Sequence, residues 1–222
     1  MKYQSDRRNE LKAKTAIRKA AYGMLMQEGL AATSFTAIAR ESGETRSLVH
    51  YYYPKKDQLI IGFLSDALDI IAERGASFIV EGDSKGNLVR NGQLYFAFLL
   101  KDEGMRRFTS EMLANRNITQ ALIQINANWS FPQIEIPEEM RKRAIAAHVV
   151  ANGGTFELLH ERLETDEERY DPMEFAATCF ATFLSIYENL PWEESFDMLK
   201  AKAIDESTAA SIAKAVEERL LS

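Results

Sequence analysis

The chain has 222 residues, enough for one domain or two small ones, and its 46% hydrophobic and 27% charged residues are ordinary for a globular protein. Eleven Gly and five Pro leave room for long helices, while the single cysteine, Cys179, excludes an internal disulfide and, with three scattered histidines, makes a poor structural zinc site. The net charge of -6 hides a split: residues 1–60 hold eleven Lys and Arg against six Asp and Glu, a balance of +5, and the rest hold sixteen against twenty-seven, a balance of -11. Such a basic portion commonly meets an anion, most often nucleic acid. The start is polar and basic, unlike a signal peptide, and no stretch has the ~18 apolar residues of a membrane span, so a soluble cytoplasmic protein is expected.

In chain order, Ile17, Ala21, Met24 and Leu25 form a helical stripe within 10–28, and Gly29 supplies the stop. A short helix over 35–41 turns Ile38 and Ala39 inward; Ser34 caps it, and Ala37 at the third position leaves the capping box incomplete. "SGE" breaks the pattern, Thr45 caps a third helix to about Tyr52, and Pro54 ends it. A long helix from Lys56 to about Val80 carries Leu59, Phe63, Ala67, Ile70 and Ile71 on one side, and "EGDSKGN" reads as a loop. Helices are then expected over 88–101, 105–115, 118–129, 138–164, 172–190, 192–204 and 207–221, with "SFPQIEIP" and the acidic "TDEERYD" as breaks. The fold class predicted is all-α: a three-helix DNA-binding domain over 1–55 and a larger helical domain over 56–222.

Helix, glycine-bearing turn and second short helix make a helix-turn-helix, whose second helix enters the DNA major groove. Ala39 lets the two helices approach, Gly43 permits a positive φ in the turn, and Val49 plugs the gap between them. The stretch from Ile17 to Leu59, with "EGL", "TSF", "IA", "SG", "TRSLV", "YY" and "KKDQL" in order, closely resembles the DNA-binding domain of TetR family transcriptional regulators. Beyond residue 60 the resemblance lies in the helical layout and in Gly153 and Gly154 with the leucines after them.

The resemblance implies a homodimer that binds double-stranded operator DNA, with a carboxy-terminal domain that takes a small effector and releases the DNA. It sorts the three consecutive tyrosines: Tyr51 faces DNA, Tyr52 lies at the phosphate border and Tyr53 packs inside. Lys56 matches a lysine that reaches a backbone phosphate, Thr45 and Ser47 offer hydroxyls, and Arg46 can fork onto guanine or phosphate. His50 is read as a phosphate donor or a packed side chain, and Thr33 and Ser34 as phosphate contacts or simply a cap and its neighbour. Glu44, His50 and Tyr53 depart from the family's usual apolar residue, tyrosine and phenylalanine, so operator preference does not transfer.

For the effector, a mainly apolar wall is expected from Phe63, Ala67, Tyr95, Phe108, Met112 and Trp129, with His148 and Asn152 to orient polar atoms, although each such aromatic is more often plain core. A dimer is expected through the helices over 138–164 and 172–190, the first by a stripe of Ala144, Ala147, Ala151, Gly154 and Thr155, the second because it is apolar nearly all round. No catalytic, cofactor or metal motif is found; His148 and His160 are about 18 Å apart along one helix. Two other readings stay open: a DNA-binding adaptor whose larger domain recognises a protein, and a helical enzyme.

Overall fold

The computed structural model describes the backbone of residues 2–165 and 170–222 and, from Glu10 onward, their side chains. Most of the acidic break over 165–171 therefore lies outside the described residues. Eleven α-helices and no strand occur among them: α1 (Lys2–Ala32), α2 (Phe35–Ser42), α3 (Arg46–Tyr52), α4 (Lys56–Gly75), α5 (Ser84–Leu100), α6 (Glu103–Leu113), α7 (Arg116–Ser130), α8 (Arg141–Glu164), α9 (Pro172–Tyr187), α10 (Trp192–Lys200) and α11 (Glu206–Leu220).

Side-chain caps set many of the starts. Ser34 accepts the Ala37 N–H at 3.1 Å, and Thr45 accepts that of Leu48 at 3.2 Å. Asp102, Asn115 and Asp205 do the same for α6, α7 and α11, each relieving one of the orphan N–H groups of a first turn. Asp83 caps α5 by accepting from Gly86, so the helix begins inside the stretch read as a loop. The opposite error occurs in α4, which stops at Gly75 instead of reaching Val80. A Cβ on Gly75 would stand 2.1 Å from Asn91 Oδ1, so α4 meets α5 where a larger residue would have to displace the Asn91 side chain. Just beyond, Asn87 donates to the Val80 carbonyl and accepts its N–H, both at 2.9 Å, and holds that segment out of the helix.

Helix α5 is the axis of the larger part, buried continuously from Leu88 to Leu100 between α4, α6, α9 and α11. Gly92 lets α5 come close to α9, since its Cβ would meet Phe180 at 3.0 Å and Ala176 at 3.3 Å. Tyr22 of α1, Phe63 of α4 and Phe98 and Phe108 of α5 and α6 form one aromatic cluster centred on Phe63, with ring centroids 5.1 to 6.0 Å from it. The hydrophobic core thus crosses the boundary expected at residue 55 without interruption.

The expected dimer faces are partly internal. Ala144, Ala147, Ala151 and Thr155 of the small-residue stripe are buried, and α8 packs against α9 of the same chain; only Gly154 is exposed. Helix α9 is apolar nearly all round because α5, α8 and α10 of its own chain cover it. What α8 presents outward is a different stripe: Ile145, Val149 and Val150, 47, 49 and 55% exposed, with Gly153 and Gly154 one turn further on.

Candidate nucleic-acid interface and cavity

Helices α2 and α3 pack through Ile38, Ala39 and Val49, all buried, and Gly43 between them takes φ 71°, a left-handed conformation that suits glycine. The packing fixes which residues of α3 face outward. Arg46, Ser47, His50 and Tyr51 are exposed, Tyr51 by 72%. These residues lie at successive turns of one face, so the exposed surface of α3 presents a guanidinium, a hydroxyl, an imidazole and a phenol together. The His50 ring sits edge-on to Phe35 at 5.3 Å and the Tyr51 ring edge-on to Tyr52 at 5.2 Å, which steadies both side chains.

The remaining residues expected at DNA have internal partners. Thr33 is wholly buried and donates to the Gly29 carbonyl at 2.7 Å, so its hydroxyl is not presented to a phosphate. The reason is local: Gly29 takes φ 85° and breaks the α1 ladder, leaving a carbonyl that needs a donor. Ser34 and Thr45 accept cap hydrogen bonds while remaining exposed, so each still has an O–H to donate. Tyr52 is half-buried and donates to the Glu10 carbonyl at 3.0 Å, holding α3 to α1. Tyr53 packs against the core, and burial raises its pKa.

Lys56 is half-buried, and its ammonium donates to the Leu30 carbonyl. Burial lowers its pKa, against the opposing pull of Glu111 and Asp57. An ammonium has three N–H groups, so this bond leaves donors over. Glu111 of α6 accepts the N–H groups of Leu30, at 2.5 Å, and Ala31, at 3.0 Å. The end of α1 is therefore clasped from two sides, by α4 and by α6. Gly104 brings α6 close enough that a Cβ there would lie 2.2 Å from the Met26 carbonyl oxygen. A second tie runs from Tyr22, which donates to Asp66 of α4 at 2.9 Å, beside Arg18 at 3.5 Å from the same carboxylate oxygen.

A cavity of about 260 Å³ opens in the larger part, walled by α4, α5, α7, α8, α9 and α10. Tyr95, Trp129, His148 and Asn152 line it, as does Leu68 of α4. Phe63, Ala67, Phe108 and Met112 do not; all four are wholly buried, with Phe63 and Phe108 in the aromatic cluster that joins α1 to the core. The apolar stripe of α4 reads the same whether it faces a void or a neighbouring ring, so periodicity could not separate Ala67 from Leu68. Phe96, Phe131, Phe180, Phe183 and Tyr187 complete most of the aromatic wall. Cys179 also lies in it, and burial pushes its thiol pKa up to about 12.

One side of the cavity is polar. His148 is buried, with Nε2 2.9 Å from the Ile123 carbonyl, and desolvation lowers its pKa more than that hydrogen bond raises it. Asn152 donates to the His148 carbonyl at 3.1 Å, and Asn126 donates to Asn152 Oδ1 at 3.1 Å. Asn126 has no counterpart in the sequence expectations, because nothing at its own position marks it out. Exposed Ser84, Glu135 and Glu188 mark the solvent side, where Lys85 and Glu188 form an ion pair at 2.5 Å. Among the described residues no group of three His, Cys, Asp or Glu side chains could hold a metal ion, and no helix is long and apolar enough to cross a membrane.

Residues 17–62 match the family model described as bacterial regulatory proteins, tetR family. The fold is similar to the crystal structure of a TetR transcriptional regulator from Rhodococcus sp. RHA1, with a TM-score of 0.55 and 17% sequence identity over 78% of this chain and 97% of the other. No curated protein matches by sequence.

Proposed function

We propose that this chain, whose residues 17–62 match the TetR family model, is a DNA-binding transcriptional regulator of that family, and that it represses transcription and is released from its operator by a small, mainly apolar molecule held in the cavity. DNA contact falls to Arg46, Ser47, His50 and Tyr51 on the exposed face of α3, with Ser34, Thr45 and Lys56 placing hydroxyls and an ammonium on the backbone. Base-edge contact by Arg46 specifies sequence; the others set register. The outer stripe of α8, Ile145, Val149 and Val150 beside Gly153 and Gly154, is where a second copy would pack, giving a two-fold dimer whose α3 helices address half-sites ~34–36 Å apart or a multiple of it.

The observation that carries the effector reading is the position of α4, which touches both ends of the proposed switch. Leu68 lines the cavity, and Lys56, twelve residues earlier and about 18 Å away along the helix, holds the end of α1. Asp66, between them, holds Tyr22. A ligand that displaces Leu68 moves a helix tied to α1 by these two hydrogen bonds and by the packing of Phe63 on Tyr22. Such a switch needs differential affinity: taking the equilibrium from 1:99 to 99:1 requires ~5.5 kcal/mol, and operator DNA must weaken ligand binding by the same factor.

The test is fluorescence anisotropy with the DNA upstream of the protein's own gene, repeated with each compound that raises the melting temperature in a thermal-shift screen of apolar aromatics. Compounds that stabilise the protein and dissociate the complex are expected. Stabilising compounds that leave every complex intact would remove the switch and favour the adaptor reading.

A further inference from the structure

The hydrogen-bond directions around the cavity restrict what can fill it. Two backbone carbonyls, which only accept, fix the orientation of the polar chain. The Ile123 carbonyl, 2.9 Å from His148 Nε2, requires that nitrogen to carry the proton. Nδ1 of the neutral ring is then an acceptor, in keeping with Asn152 Nδ2 at 3.3 Å. The His148 carbonyl, 3.1 Å from Asn152 Nδ2, requires Asn152 to present its amide nitrogen there and its oxygen elsewhere. That oxygen receives the Asn126 amide nitrogen at 3.1 Å, so Asn126 in turn keeps its own oxygen free. Asn126 Oδ1 is buried, has no partner and cannot be exchanged for a donor by rotating the amide without breaking the chain.

A second orphan lies in the same wall. Tyr95 is 4% exposed, and its hydroxyl is buried with no hydrogen-bond partner. Its phenol stays protonated, since burial raises its pKa. Unpartnered buried groups of this kind are costly, which gives a ligand that satisfies them an advantage no apolar filler has. Charge completes the restriction. Lys85 is the lysine in the described lining and is already paired with Glu188 at 2.5 Å, and Glu135 adds a second acidic side chain at the mouth. A carboxylate ligand would meet an oxygen lone pair at Asn126 and find no unpaired cation among the described lining residues.

We propose that the cavity takes an uncharged aromatic alcohol or phenol, whose O–H donates to Asn126 Oδ1 and whose oxygen accepts from the Tyr95 hydroxyl. This deepens, and rests on, the reading of the cavity as the effector site. A volume of about 260 Å³ exceeds the ~150 Å³ that accommodates benzene, so the fit is to a bicyclic aromatic of naphthol size rather than to a single ring.

Calorimetric titration of the full chain with naphthol, its methyl ether and the naphthoate anion, all substituted at the same ring position, tests the assignment. The ether keeps the accepting oxygen and lacks the donor; the naphthoate adds charge. Wild type is expected to bind naphthol ~10-fold or more tightly over both others, as a site built around a hydrogen bond rejects the analogue that lacks it. Asn126→Leu is expected to bring naphthol and ether within about twofold of each other, and Tyr95→Phe to weaken both alike. Naphthoate or ether binding wild type as tightly as naphthol would overturn the proposal, as would discrimination that survives in Asn126→Leu. An ether that binds as well as naphthol and also dissociates the operator complex leaves the effector reading standing and removes only the donor requirement. Failure of all three compounds to bind overturns the proposal, while the effector reading is decided separately by the thermal-shift screen and the operator complex.

Discussion

The DNA-binding end and the cavity both rest on side-chain hydrogen bonds to the backbone and to one another, but at opposite ranges of sequence separation. Around α2 and α3, the Ser and Thr hydroxyls meet partners three or four residues away, Ser34 with Ala37, Thr45 with Leu48 and Thr33 with Gly29, and Tyr52 alone of the hydroxyls named there reaches far, to Glu10. Around the cavity, His148 meets Ile123 at a separation of 25 residues, Asn126 meets Asn152 at 26, and Gln93 of the supporting α5 exchanges two hydrogen bonds with Ile204 at 111. The first region can form its local geometry as soon as its helices form, whereas the second exists only once several helices have docked. The surface proposed to meet DNA is thus supported mainly by local contacts, and the proposed effector cavity by contacts that helix movement breaks.

The comparison is broken most severely at the rings that join the regions. Phe63→Ala removes the centre of the aromatic cluster and is expected to destabilise the protein by ~3–5 kcal/mol in urea denaturation, with both ends lost in one transition. Two separate transitions would show that the shared core does not unite them. Tyr95→Phe, on the cavity wall, should leave stability unchanged or raised, because the hydroxyl it deletes has no partner.

At the DNA surface, Arg46→Ala is expected to narrow the gap between operator and scrambled DNA by ~1–3 kcal/mol in anisotropy titrations. Lys56→Ala should weaken all sequences and flatten the salt slope by about one, and it should also lower the melting temperature, because the ammonium holds the Leu30 carbonyl. A lowered melting temperature with an unchanged slope would make Lys56 a structural clasp alone.

The smallest effect concerns pH. The folded-state pKa of His148 is depressed, so between that value and the unfolded ~6.5 the unfolded chain binds more protons, and stability rises with pH. His148 contributes fully above about 6.5 and progressively less as pH falls toward its folded value. Urea denaturation from pH 7 down to pH 5 should therefore show a smaller loss in His148→Gln than in wild type; equal losses would mean that the network does not hold the ring neutral.

Legibility in the sequence follows the same division. Gly29, Gly43, Ser34 and Thr45 mark helix ends by their own chemistry, and all four act where they stand. Asp83 carried an equally local signal, masked by the glycines and Asn87 around it. The exposed face of α3 was also within reach, because Val49 fixes which side turns inward and 3.6 residues per turn fixes the rest. Thr33 was not, since its burial depends on the kink at Gly29.

The sequence by itself determined an all-helical chain with a helix-turn-helix near its start, because caps, turns and periodicity act over a few residues and survive without the rest of the molecule. Tertiary structure alone decided that Phe63, Ala67, Phe108 and Met112 are core while Leu68 and Asn126 reach a cavity, and that the small-residue stripe of α8 faces its own chain while Ile145, Val149 and Val150 face outward. An apolar side chain carries no mark of what will cover it: the hydrophobic effect is non-directional, and only the docking of distant helices assigns one face to a neighbour, another to a void and a third to solvent.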